Sequence, residues 1–285
     1  MKKIIAKIKQ FTPRKVKYLR RKILKILQPG TTKIPQEELE VFKRIRDKLQ
    51  VVFDVGARED IDMYTIHPNC EYHLFEPNKK FFTLLKSKIA PLNNPRIKIN
   101  NLGLSDVTEK ECVYYQDSES FIKNRFFENI DRGERYDLEI LDGYVKKHNI
   151  SKIDFLKIDA EGMDYRVIQG GLDIIKNNTN FIQFEYWDGA AKFALLLGDT
   201  FDLYVMMEKG LLKAVHNEVK DEMTTSQKQK DYTQSLVPLD DDVILLIDTI
   251  LAPKGFGGNI FGIKKTIEEK LSIKKEIAFD IRTIN

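Results

Sequence analysis

Residues Ile153 to Gly171 read IDFLKIDAEGMDYRVIQGG, and the class of fold follows from this stretch. An apolar run of strand length, Ile153 to Ile158, ends on Asp159, Glu161 and Gly162 and passes at once into residues of helical spacing. A buried strand that hands over to a helix through an acidic, glycine-bearing turn is the unit from which parallel sheets are built. Two carboxylates beside a crevice are costly to desolvate, so each needs a substrate hydroxyl, a cation, a cationic cofactor or local N–H groups as partner. The plainer reading is that Asp159 and Glu161 cap the helix behind them. A third carboxylate, Glu185, closes the next strand-like run, Phe181 to Glu185, and favours a site over a cap.

Outward from this stretch the same alternation continues. Strands are expected at Val51 to Val55, Tyr72 to Phe75, Ile97 to Leu102, Leu203 to Met207, Val243 to Ile247 and Asn259 to Ile263. Helices are expected at Gln36 to Lys48, Asp60 to His67, Asn78 to Ile89, Leu141 to His148, Met163 to Lys176 and Gly189 to Leu197. The pattern predicts a mostly parallel sheet with helices on both faces. Tyr115 to Arg135 and the polar stretch Asn217 to Gln234 read as loops.

In such sheets ligands bind outside the carboxyl ends of the strands. The first strand runs into Phe53-Asp54-Val55-Gly56-Ala57, where glycine lets the backbone turn against a ligand. The second ends on Phe75-Glu76-Pro77, and an acid about 20 residues after a glycine turn suits the ribose hydroxyls of an adenosine cofactor. A dinucleotide would require G-x-G-x-x-G, and only Gly56 is present. Glu59 and Asp60 at the helix start repel a pyrophosphate but tolerate a cationic sulfonium bearing an ammonium group.

Charge is unevenly spread. Residues 1–36 carry twelve Lys or Arg and no acid, leaving 35 basic against 43 acidic residues in the remainder, a formal charge of −8. Phosphates are repelled by a body of that sign, which argues against nucleic acid as partner. Thr12-Pro13 opens a basic amphipathic helix with Val16, Leu19, Ile23 and Ile26 on one face and Arg20, Arg21 and Lys25 on the other, and Pro29-Gly30 closes it. Two readings are equally weighted: contact of residues 1–27 with an anionic membrane surface, or docking on the acidic body or a second subunit. No apolar run reaches the ~20 residues of a membrane span. Cys70 and Cys112 fit neither a disulfide framework nor a metal knuckle, so a reducing, cytoplasmic setting is expected, with the inner face of a membrane as the peripheral option.

Taken in order, FDVGA (53–57), LFEPN (74–78), NLGLSD (101–106), LD (141–142), FLKIDAEGMDYRVIQGG (155–171) and QFEY (183–186) resemble the FkbM family of methyltransferases, and GFGGNIFGIKK (255–265) suits the last strand of such a domain. The resemblance implies a Rossmann-like class I methyltransferase fold with a seven-stranded sheet over residues 37–265, between the arm 1–36 and a tail 266–285. It further implies S-adenosylmethionine as methyl donor and O-methylation of a sugar, glycan or small metabolite. Under it, Asp54, Gly56, Ala57, Arg58, Glu76, Leu104, Ser105, Asp106 and Asp159 are expected at the cofactor.

Asp159, Glu161 and Glu185 are expected to be catalytic, Asp159 or Glu161 as the base that takes the hydroxyl proton and Glu185 as an orienting group. His148 and His216 are weaker candidates for the base. No metal is assigned, although three carboxylates are also a set that suits Mg²⁺. Asp60 stands where the family turn commonly has a second glycine. The alternative reading is therefore an inactive methyltransferase-like module tethered to a membrane or complex.

Overall fold

The computed structural model describes residues 39–116, 122–123, 134–207, 235–255 and 257–267. The basic arm, His216, most of both expected loops and the tail beyond residue 267 lie outside the described residues. Two compact units are present, one spanning Phe42–Glu185 and one containing Tyr186 onward together with the segment through Val41.

In the first unit β1 (Val51–Val55), β2 (Glu71–Phe75) and β3 (Ile97–Asn100) are followed by β4 (Gly103–Ser105), β5 (Glu109–Gln116), β6 (Ile122–Lys123) and β7 (Glu134–Ile140), and then by β8 (Ile153–Ile158) and β9 (Thr179–Tyr186). The parallel order is β3-β2-β1-β8-β9. Almost every residue of β1, β2 and β8 is buried, which accounts for their near-continuous apolar sequences. Strand order reverses between β1 and β8, so the crevice expected of an open sheet lies at their carboxyl ends. Val55 pairs with both Phe75 and Ile158, and Gly56, Glu76 and Asp159 therefore leave the sheet at one level.

The remaining four strands form a separate small sheet, β4-β7-β5-β6, that the sequence reading did not anticipate. Its β4 cuts short the strand expected at Ile97 to Leu102. The helix expected at Met163 to Lys176 is also divided, into Asp164–Gly170 and Leu172–Asn178. Leu141 packs where a side chain at Gly171 would stand, and the Asp142 carboxylate accepts from the N–H groups of Asp173 and Ile174. The second helix thus begins with its own carboxylate cap.

The second unit contributes β10 (Phe201–Met207), β11 (Ser235–Pro238) and β12 (Gly258–Lys264), with β10 antiparallel to both others. Eight strands are assigned to the main sheet, which corrects the expected seven. The strand expected at Val243 to Ile247 is instead the helix Asp241–Leu246. Asp240 decides this, because its carboxylate accepts from Asp242 N–H and Val243 N–H and so starts a helix ahead of the apolar run. Both cysteines are free and buried. Among the described residues no helix is long and apolar enough to cross a membrane.

Gly170 shows how closely the small sheet is packed: a Cβ there would lie 1.9 Å from the Ser105 carbonyl oxygen. Gly170→Ala is expected to lower unfolding free energy by roughly 2–3 kcal/mol, read as a fall in the denaturation midpoint. A wild-type midpoint would show that the two segments part without penalty.

Candidate active site

The turn after β1 is set by backbone contact. Gly56 has φ +83, and a Cβ on it would lie 1.8 Å from the Asp159 carbonyl oxygen. Glycine is thus required by the end of β8, where the sequence reading had assigned the space to a ligand. Gly56 and Ala57 both donate their N–H to the Phe75 carbonyl, at 2.9 and 3.1 Å, which holds this turn against the end of β2.

The next residue, Arg58, takes a left-handed conformation (φ +47), and its N–H comes 2.9 Å from Glu76 Oε2. Asn78 N–H donates to the other oxygen at 2.8 Å. Glu76 is 4% exposed and receives one backbone donor on each oxygen, so each keeps a lone pair for a further donor. Burial pushes its pKa up, while the two N–H groups and the Arg58 charge oppose the rise.

Glu76, Gly56, Asp159 and Glu161 line one side of a cleft that holds about 870 Å³ of empty space, part of it open to solvent. Leu104, Tyr136, Leu138 and Met163 also line it, and the last three belong to one apolar cluster with Cys112. Arg58 lies over the Phe81 ring at 4.9 Å and 3.6 Å from Glu161 Oε1. The Glu161 pKa is raised, first by burial and then by Asp159, with Arg58 pulling it back.

Asp159 Oδ2 accepts from Lys157 Nζ at 3.1 Å. The same ammonium is 3.9 Å from Asp54 Oδ1, and Tyr64 donates its hydroxyl to Asp54 Oδ2 at 2.9 Å. Asp54 is 3% exposed and is not among the cleft-lining residues; its pKa is raised chiefly by burial, with Lys157 opposing. The structure therefore brings Gly56, Arg58, Glu76, Leu104, Asp159 and Glu161 to the cleft and keeps the other expected residues off its wall. Ala57 is buried. Ser105 donates to Asp106, which also accepts from Arg166 Nε at 2.7 Å.

Glu185 gives its N–H to Asp164 Oδ1 at 3.0 Å and does not line the cleft. Among the described residues no three His, Cys, Asp or Glu are arranged to hold a metal ion, so Asp159, Glu161 and Glu185 do not assemble as a set of ligands. His148 is exposed, and its ring lies tilted against Tyr144, 4.2 Å between centroids. Asp60 is exposed and accepts from Asp62 N–H in its own turn, which leaves the cleft unobstructed at that position.

Sequence reasoning missed Asn78, Phe81, Tyr136, Leu138 and Met163 as parts of this cleft. A signal existed for two of them: Tyr136 and Leu138 alternate with polar residues along ERYDLEI, a period of two that marks a half-buried strand. Asn78 was visible only as a helix start, and it does cap Lys79–Ile89 by accepting from Lys80 and Phe81 N–H.

Residues 54–197 match the family model described as Methyltransferase FkbM domain. No curated protein matches the chain. Among solved structures, the chain is similar to a methyltransferase FkbM from Methylobacillus flagellatus KT, at 14% identity and a TM-score of 0.38, over 54% of this chain and 39% of that one. It is also similar to the O-methyltransferase of a trans-AT PKS multienzyme of Brevibacillus brevis in complex with S-adenosyl-L-homocysteine, at 16% identity and a TM-score of 0.39, over 94% and 84% of the two chains. A precorrin-6y C5,15-methyltransferase from Geobacter metallireducens GS-15 has 11% identity and a TM-score of 0.38, over 84% and 95%.

The Arg58–Glu161 contact has a direct electrostatic readout. Since Arg58 lowers the Glu161 pKa, Arg58→Met is expected to move the Glu161 midpoint to higher pH in a carboxyl ¹³C NMR titration. A midpoint that stays put, or falls, would show that the guanidinium is screened from the carboxylate.

Proposed function

Because the chain belongs to the FkbM methyltransferase family, we propose that it transfers a methyl group from S-adenosylmethionine to a hydroxyl oxygen of a sugar, glycan or small metabolite. The observation that carries this reading is Glu76, a buried carboxylate whose two oxygens are each held by one backbone N–H and each keep acceptor capacity toward the cleft. Two vicinal hydroxyls of a ribose match that arrangement. The acids Asp159 and Glu161, which line the same cleft, suit a cationic ligand, so the residues present fit this donor.

S-adenosylmethionine supplies an electrophilic methyl group on a positively charged sulfur. Glu76 would hold the ribose, and Asp159 and Glu161 would offer negative charge to the cationic methionine half. One of these two acids would take the acceptor hydroxyl's proton, and burial raises the Glu161 pKa toward the range such a base needs. Arg58 limits that rise and keeps two neighbouring carboxylates tolerable. Leu104, Leu138 and Met163 form an apolar wall that excludes water from the reacting centre and helps orient the acceptor. Glu185 is assigned an orienting role, with its N–H donated to Asp164 Oδ1.

The proposal extends to partners. The acceptor is a small molecule or glycan and not a nucleic acid, a choice supported by the acidic body. Contact of residues 1–27 with an anionic membrane surface, from the cytoplasmic side, is supported by the twelve basic residues of the arm.

Methyl-labelled S-adenosylmethionine offered with a panel of sugars, glycans and hydroxylated metabolites is expected to give labelled methyl ethers. Absence of both donor binding heat and thermal shift would instead support the tethered, inactive module. Glu76→Gln is expected to weaken S-adenosylhomocysteine binding about tenfold or more, by losing one charged acceptor. Asp159→Asn and Glu161→Gln, made separately, are expected to reduce turnover by about 100-fold for whichever acid is the base, with a smaller loss of donor affinity. Unchanged turnover in both variants would remove them from the mechanism.

A further inference from the structure

The turn from Asp159 to Met163 has an unusual backbone. Glu161 (φ +49) and Gly162 (φ +89) are consecutive left-handed residues, and a Cβ at Gly162 would meet nothing within 4 Å. Packing does not hold this turn on that side. A glutamate in the left-handed region relaxes toward ordinary dihedrals unless its surroundings hold it there.

Besides the Asp159 N–H bond to the Val55 carbonyl and the Met163 N–H bond to the Ala160 carbonyl, the turn is restrained by Asp164, a carboxylate only 2% exposed. Its Oδ2 accepts from Ala160 N–H at 3.3 Å, between the two acids of the turn. Its Oδ1 accepts from Glu185 N–H at 3.0 Å, at the end of β9. One side chain thus joins the turn that carries Asp159 and Glu161 to the neighbouring strand end, and Asp164 itself does not line the cleft. Burial pushes its pKa up to about 7, against the pull of the Glu185 N–H, so holding this carboxylate in place is energetically costly. Glu76 is fixed separately, by Arg58 and Asn78 N–H, and shares no hydrogen-bond partner with Asp164.

We infer that Asp164 is a positioning residue that holds the Asp159–Glu161 turn toward the amino-acid half of the donor, independently of the ribose seat at Glu76. The inference rests on the methyl-transfer reading. Arg58 touches both halves, through its N–H to Glu76 and its guanidinium near Glu161, whereas the Asp164 tie bears on the turn alone: loosening that tie should leave the ribose seat intact.

The test is calorimetry on the full chain with two probes, S-adenosylhomocysteine and 5′-methylthioadenosine, which keeps the adenosine and the sulfur but lacks the amino-acid group. In Asp164→Asn the amide presents N–H to one of the two backbone donors. The dissociation constant for S-adenosylhomocysteine is expected to rise about tenfold, while that for methylthioadenosine changes by less than about twofold. Asp164→Ser, which keeps one acceptor oxygen, is expected to show the same split and serves if the Asn variant does not fold. Equal weakening of both probes would make Asp164 a general structural residue and overturn the inference, as would unchanged binding of both. If the wild-type chain binds neither probe, the methyl-transfer reading itself fails and the inference falls with it.

Discussion

At the carboxyl end of β1 the main chain passes so near that of β8 that any side chain at Gly56 would overlap the Asp159 carbonyl oxygen. Asp159 N–H closes the contact by donating to the Val55 carbonyl at 2.8 Å. Most of the site's geometry depends on this approach. It places the turn after β1 against β2, where Gly56 and Ala57 share the Phe75 carbonyl, and that in turn brings Arg58 N–H to Glu76. A sheet whose central strands were spread even slightly at this end would separate the acid of β2 from the acids after β8, and the cleft would lose its two poles.

Carboxylates recur as structural ties in this chain. Asp154 accepts from Gln50 and Val51 N–H at the far end of β1, Asp142 caps the helix Leu172–Asn178, and Asp248 takes the Ala190 and Ala191 N–H groups where the helix Ala191–Leu197 begins. Each uses its carboxyl oxygens to satisfy donors that a helix or strand end leaves without partners. An acidic residue in this sequence is therefore not by itself a sign of chemistry. What distinguishes Glu76, Asp159 and Glu161 is that they do comparable local work while also bordering open space.

The parallel core was legible because its strands are short, apolar and followed by helices, so periodicity and length agreed. The positions after β1, β2 and β8 were legible for the same reason: once the strands are placed, topology dictates where their ends meet. Val243 to Ile247 misled because five apolar residues suit a strand or a helix equally, and only the Asp240 cap resolves the choice. The small sheet was hidden by polar strands such as Glu109–Gln116, whose composition resembles loop. Whether an acid faces the cleft or turns inward, the difference between Glu76 and Asp54, depends on Lys157 and Tyr64 arriving from distant sequence, which no local pattern encodes.

The Glu76 seat has a consequence for how this site can drift over evolutionary time. Both of its donors are peptide groups, of Arg58 and Asn78, and every amino acid except proline supplies one. Neither side chain is thereby needed to hold Glu76: Asn78 is constrained instead by its helix cap, and the Arg58 guanidinium, on the half-exposed rim beside Phe81, by its nearness to Glu161. Related chains can then diverge in the groups surrounding the cleft while inheriting an unaltered backbone hold on this carboxylate.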